Sequence, residues 1–129
     1  MSNRLLSVTT GGLFASCLFL SSAWAHHGWE WAEAEQMELT GTVKSVAIIP
    51  PHPRLDVETP NDGVWRIELG NPSQTKRAGF VEGSAKVGDT ITATGNRAKD
   101  HGEKRMKAVQ ITVDGKTYDI YPDRIRKAK

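Results

Sequence analysis

Four histidines, His26, His27, His52 and His101, are the residues of this 129-residue chain whose type and spacing could do chemistry. Neutral imidazole is the commonest metal ligand, and His26 and His27 are adjacent. If His26 begins the processed chain, its α-amine and a ring nitrogen can chelate one ion together. From the second position, His27 chelates through the amine, its own deprotonated amide and its ring. Nitrogen-rich tetragonal sets of this kind suit Cu(II), and Ni(II) less well. A start at Trp24 would instead make His26 the third residue, again an amino-terminal copper and nickel chelate. Cu(II) is therefore the cofactor to expect if His26, His27, His52 and His101 hold a metal. The plainer readings are an exposed polar start for the pair and an ordinary loop position for His52, between Pro51 and Pro53. Met37 and Met106 could offer soft sulfur to Cu(I), but each also fits as a gap-filling core residue at a strand end.

Other chemistries lack their residues. The chain has one cysteine, Cys17, so one copy can build neither a disulfide framework nor a cysteine zinc cluster. The sequence contains no Gly-x-Ser-x-Gly elbow, phosphate loop, His-Glu-x-x-His pattern or Cys-x-x-Cys-His haem site. Ser45, Ser73 and Ser84 have no base beside them in sequence. These absences point away from an enzyme.

Met1 to Arg4 is a short basic start, Leu13 to Leu20 a compact apolar run, and Ala23-Trp24-Ala25 a small-residue end. That three-part pattern predicts a secretory signal peptide over residues 1–25, and hence a periplasmic or secreted protein. The apolar run is shorter than the roughly 20 residues that span a bilayer, so the processed chain is not expected to be transmembrane. Cys17 could instead mark a lipoprotein, but apolar residues follow it where a polar tether would begin. Cleavage after Ala25 leaves residues 26–129, which number 104 and contain no cysteine.

The elements that must position the histidines follow from periodicity. Leu39, Gly41 and Val43 alternate with Thr40, Thr42 and Lys44, predicting a half-buried strand from Met37 to Ile49. Pro50-Pro51-His52-Pro53 breaks it. A second strand runs from Arg54 to Thr59, and Pro60-Asn61-Asp62-Gly63 turns it into a third at Val64 to Leu69, with Trp65, Ile67 and Leu69 on one face. Asn71-Pro72 reads as a cap and first helical residue, so Ser73 to Phe80 forms a short helical plug. Strands at Thr90 to Thr94, Met106 to Val113 and Lys116 to Tyr121 follow, the last two joined by Asp114-Gly115. The charged stretch Lys99 to Lys107 reads as a solvated loop.

Three strands, a helix, then two strands and an added sixth predict an all-β domain with one short helix. The layout is a small OB-like Greek-key barrel, preferred to a sandwich because the helix falls between strands three and four. The expected organisation is an arm over 26–36, a barrel over 37–122 and a basic tail over 123–129. His52 then lies between strands one and two and His101 between strands four and five, the two loops that flank the usual OB binding face. Trp29 and Trp31 lie in the arm. They are expected either to fold over an open barrel end or to form an aromatic platform that contacts a ligand or partner.

The segments Ala25-His26-His27-Gly28-Trp29, Glu38-Leu39-Thr40-Gly41-Thr42-Val43, Pro51-His52, Gly63-Val64-Trp65, Arg77-Ala78-Gly79, Val87-Gly88-Asp89 and Asp114-Gly115-Lys116-Thr117-Tyr118 occur in one order. Together they resemble a family of small secreted bacterial proteins known as domain of unknown function family six-one-five-two. Here Pro50 and Pro53 make the histidine loop richer in proline than that pattern. The resemblance implies an exported protein and carries no established activity.

Charge adds one expectation. Lysine and arginine number 17 against 15 carboxylates, a formal charge of +2, which falls to +1 once Arg4 is removed. Nucleic-acid binding draws on basic excess, so no nucleic-acid partner is expected. The reading is an exported, non-enzymatic module that binds an unknown small ligand or serves as an accessory. The alternatives are a periplasmic copper-binding protein using His26 and His27, and a protein-interaction module docking through Trp29 and Trp31.

Overall fold

The computed structural model describes residues 28–126, so the leader, His26 and His27 lie outside the described range. Six strands run β1 (Met37–Ala47), β2 (Arg54–Thr59), β3 (Gly63–Glu68), β4 (Thr90–Arg97), β5 (Arg105–Val113) and β6 (Lys116–Asp119). Helix α1 (Pro72–Arg77) separates β3 from β4, and a 3-10 turn covers Pro122–Arg124. Asn71 caps α1 by accepting the Gln74 amide at 2.8 Å, and Pro72 sits in the first turn, where its missing N–H costs nothing.

The sheet order is β3-β2-β1-β4-β5-β6, and β3 also pairs with β5 in parallel. That last pairing sets Arg66 beside Arg105, Ile67 beside Met106 and Glu68 beside Lys107, closing the first five strands into a barrel. β1 serves both halves. Its Met37–Thr42 stretch pairs with β4 and its Thr42–Ala47 stretch with β2, with a register shift between Val43 and Ser45. A bulge bends a strand locally, which suits this change of partner. The topology is that of an OB fold with an added sixth strand.

Leu39, Val43, Trp65, Ile67 and Leu69, expected to share inward faces from alternation, are buried in one cluster with Val57, Ile91, Ala93, Met106 and Ile111. Trp65 is 1% exposed, and Met106 is enclosed with it. Met37 packs against the same cluster. The helix itself contributes only Thr75 to the interior. Phe80, just beyond it, fills that region, its ring edge-on to Tyr118 with centroids 5.2 Å apart. At the β5–β6 hairpin, Asp114 and Gly115 take φ of 50° and 76°, the left-handed pair that a tight two-residue turn requires.

Two expectations are corrected. β4 runs through Gly95 to Arg97 rather than ending at Thr94, and β5 starts at Arg105. A Cβ on Gly95 would stand 2.1 Å from the Lys107 carbonyl oxygen, so only glycine permits this approach, at a register shift between Thr94 and Gly95. Arg105 and Lys107 thereby leave the expected solvated loop and join the sheet; Lys107 is 2% exposed. The basic tail also begins as structure. Gln36 donates to the Arg124 carbonyl at 2.6 Å and accepts from the Arg126 amide at 3.2 Å, tying residues 124–126 to the arm.

Candidate functional site

The arm extends the line of β1 backwards along the end of β4. Ala32 bridges Ala98, the Glu33 amide donates to the Arg97 carbonyl at 2.8 Å, and the Lys99 amide donates to the Trp31 carbonyl at 2.8 Å. Asn96 supplies a second hold. Its Nδ2 donates to the carbonyls of Glu33, Ala34 and Glu35 at 2.9, 3.2 and 3.3 Å. His101 closes the set with an Nε2 contact to the Glu33 carboxylate.

Thus fixed, the arm lays its indoles against outward side chains of β5 instead of covering an open barrel end. The Arg105 guanidinium stacks 3.7 Å from the Trp31 ring centre, donates from Nε and Nη2 to one oxygen of Glu68 at 2.8 Å, and has its Nη1 3.9 Å from the Glu103 carboxylate. Trp29 meets Tyr121 edge-on, with centroids 4.9 Å apart. The Arg124 guanidinium lies 4.1 Å and the Lys107 ammonium 5.3 Å from the same Trp29 ring. Cations within about 6 Å of an aromatic face are attracted by the ring quadrupole. Beside this cluster a groove of about 490 Å³ runs between the arm and residues 123–126, with Trp29, Ala34, Asn96, Lys99 and Arg124 among its walls.

Burial is the largest influence on the titration of three groups here. It holds the Lys107 ammonium below its ordinary value, and Arg105 and Arg124 push the same way against the opposing pull of Glu68. His52 is lowered as well, first by burial and then by Lys107. Tyr121 is pushed up to about 12, chiefly by burial.

The histidines sort differently from expectation. His52 does lie in the β1–β2 loop and His101 in the β4–β5 loop, but their neighbours differ. The surroundings of His52 include Lys107, Glu68, Arg105 and the Gly70 backbone, and its Nδ1 is buried with no hydrogen-bond partner. His101 meets Glu33, and its carbonyl accepts from Arg97 Nη2 at 3.4 Å. Among the described residues no three His, Cys, Asp or Glu side chains are grouped to hold a metal. His26 and His27 fall outside the described residues.

Trp29 and Trp31 are the two expected contact residues that the structure places in one cluster. Lys107, Arg105, Arg124, Tyr121 and Asn96 join them without having been singled out. One signal was available: Lys107 sits within the strand-forming run Met106 to Val113, where an outward lysine must lie on the barrel wall.

The outward sides of β2 and β3 carry cross-strand ion pairs. Arg66 Nε lies 3.3 Å from Asp56 and Lys44 Nζ 3.3 Å from Glu58. Lys104 reaches Asp62, which also accepts from Trp65 Nε1 at 3.0 Å. Among the described residues no helix is long and apolar enough to cross a membrane.

The fold and this arm-covered face define a small OB-barrel protein with an amino-terminal aromatic strap. The chain belongs to a family of unknown function, DUF6152, whose model matches residues 16–107. No curated protein matches it significantly. Solved structures that resemble it include the Stn1–Ten1 complex of S. pombe, at TM-score 0.48 and 18% identity over 60% of this chain and 57% of that one. Another is the complex of TiaS with an isoleucine tRNA and ATP, at 0.49 and 18% over 61% of this chain and 18% of that one. A third is the mitochondrial single-stranded DNA-binding protein Rim1 of S. cerevisiae, at 0.49 and 12% over 62% and 93%. The chain thus spans little more than half of the first and under a fifth of the second.

One expectation is corrected: a net charge near zero does not exclude a nucleic-acid partner. The physical reason is that net charge sums over the whole chain, whereas binding depends on where charges sit. Arg105, Lys107 and Arg124 are gathered at one end of β5 beside Glu68.

Proposed function

We propose that this protein is an exported, non-enzymatic binding module whose contact surface is the face shared by the arm, the start of β5 and the 3-10 turn. Export is supported by the basic start, apolar run and Ala23-Trp24-Ala25 end of the first 25 residues. The carrying observation for the surface is that Trp29 and Trp31 stay half-buried outside the barrel core, held by backbone bonds and lying on cations. Large aromatic side chains presented this way supply contact area at low entropic cost.

The test has two parts. Intact mass of the exported protein is expected to show a chain beginning at His26; retention of the leader defeats the export reading. Indole and amide resonances would then be followed while the protein is titrated separately with inorganic phosphate, a short single-stranded DNA and Cu(II). At least one probe is expected to move the Trp29 and Trp31 indoles first, and the double variant Trp29→Ala, Trp31→Ala to lose that response. Shifts confined to residues outside the arm cluster, such as Thr40 and Thr92, would defeat the surface assignment.

A further inference from the structure

We propose that the arm-covered end of β5 is an oxyanion site, in which Lys107 and Arg124 receive a phosphate-class group against the wall of Trp29. The inference rests on the arm face being the contact surface and adds the class of ligand.

Charge accounting carries it. Lys107, Arg105 and Arg124 share the neighbourhood of Glu68, and that carboxylate is taken: it accepts both Nε and Nη2 of Arg105 at 2.8 Å, and Glu103, 3.9 Å from Arg105 Nη1, faces the same guanidinium. Lys107 and Arg124 are left to aromatic rings, and neither forms an ion pair with a carboxylate of the described residues. Ion pairs elsewhere on the barrel couple Lys44 to Glu58 and Arg66 to Asp56, so local pairing is the habit of this surface and this cluster departs from it. A buried ammonium without a counter-charge is unfavourable. An anion seated here would relieve it.

The cations are also held ready. Lys107 stands between register partners on two sides, Asn96 of β4 and Glu68 of β3, so its backbone is fixed by sheet pairing. Arg124 is fixed by the 3-10 turn and by Gln36 on its carbonyl. Donors held in place before binding lose less entropy on binding. Arg124 is exposed, and Gly28 lies against the Lys107 ammonium, where a Cβ would stand 3.3 Å from the nitrogen. Fork-shaped guanidinium and point-like ammonium together suit an oxyanion with several acceptor oxygens.

The experiment uses the exported full chain and inorganic phosphate at constant ionic strength, with chloride as control. Phosphate is expected to bind saturably, to shift the Trp29 indole, and to raise the titration midpoint of the Lys107 amino group followed by nitrogen NMR. Arg124→Gln, at an exposed position, should weaken phosphate about tenfold, the loss of roughly one charge-assisted contact. Lys107→Met should abolish saturable binding, and Gly28→Leu should block it while leaving both cations in place. Phosphate shifts unchanged in Arg124→Gln, or an unmoved Lys107 midpoint, overturn the proposal. Vesicles with phosphatidylglycerol separate the sources: binding to them but not to free phosphate assigns the oxyanion to a lipid headgroup, and binding to free phosphate assigns a soluble one. If neither binds while single-stranded DNA or Cu(II) still moves both indoles, the oxyanion site is wrong and the contact surface stands. If nothing moves the indoles, both are wrong.

Discussion

Asn96 and Lys107 are register partners across β4 and β5, and the amino-terminal arm closes over both. Asn96 is 6% exposed and spends its amide nitrogen on three arm carbonyls, while Lys107 lies beneath Gly28 and Trp29. One residue holds the strap and the other is what the strap covers. Separate substitutions therefore separate the two roles.

Asn96→Ala removes the donor shared by Glu33, Ala34 and Glu35. The expected cost is about 0.5–1.5 kcal/mol, the net worth of a hydrogen bond, since the half-buried Glu33 and the exposed Ala34 and Glu35 can turn their carbonyls to water. Amide exchange should accelerate at Lys99, whose N–H donates to the Trp31 carbonyl, and at Glu33. Unchanged protection at Lys99 would show that the backbone bridge holds the arm unaided.

Lys107→Met is expected to stabilise the free protein. Burial holds this ammonium below its ordinary 10.5, so the folded chain resists a proton that the unfolded chain accepts. Between the lowered value and 10.5 stability rises with pH, and below the lowered value the full penalty is present. Replacing a poorly paired buried charge by an apolar side chain of similar volume gains about 1–4 kcal/mol. Thermal unfolding at pH 7 measures it, and a lower midpoint for the methionine variant contradicts the reading of Lys107 as an unrelieved charge.

His52 gives the opposite end of the pH scale. Its folded value lies below 6.5, through burial and then Lys107. As pH falls from above 6.5 toward that value, the unfolded chain takes up a proton first, and stability declines. Melting curves between pH 8 and pH 5 should show a steeper loss for the native protein than for His52→Gln. Equal slopes would mean that the ring is solvated.

Copper can be tested in the same material. Cu(II) affinity, where it is found, is expected to reside in His26 and His27 and to disappear when both are replaced. His52→Ala and His101→Ala should leave it unaltered, because the former ring lies beside Lys107 and Arg105 and the latter is engaged by Glu33. Loss of copper on changing His52 alone would place the ion among cations, against Coulomb's law.

Much of the barrel was legible because its signals are local. The alternation of Leu39, Gly41 and Val43, the Asn71-Pro72 helix start and the Asp114-Gly115 turn each lie within a few residues. The continuation of β4 past Gly95 was not, because the glycine reads as a strand end until the Lys107 carbonyl is seen against it. The site was half legible. Trp29 and Trp31 announce themselves by size and by position outside any apolar stripe. Their partners Arg105, Lys107 and Arg124 are more than 70 positions away and read as solvated charge, since nothing in a linear sequence says that an arm will cover them.

The bridge from Ala32 to Ala98 also sets an order of events. The arm is among the first parts of the described chain to be made, yet its hydrogen-bonding and ring partners lie at residues 96–99, 105, 107, 121 and 124. Contacts of such high sequence separation form slowly. The two tryptophans must therefore wait, exposed, until nearly the whole barrel has been delivered and closed. Burial of the two indoles is thus a late event in folding, one that reports closure of the barrel.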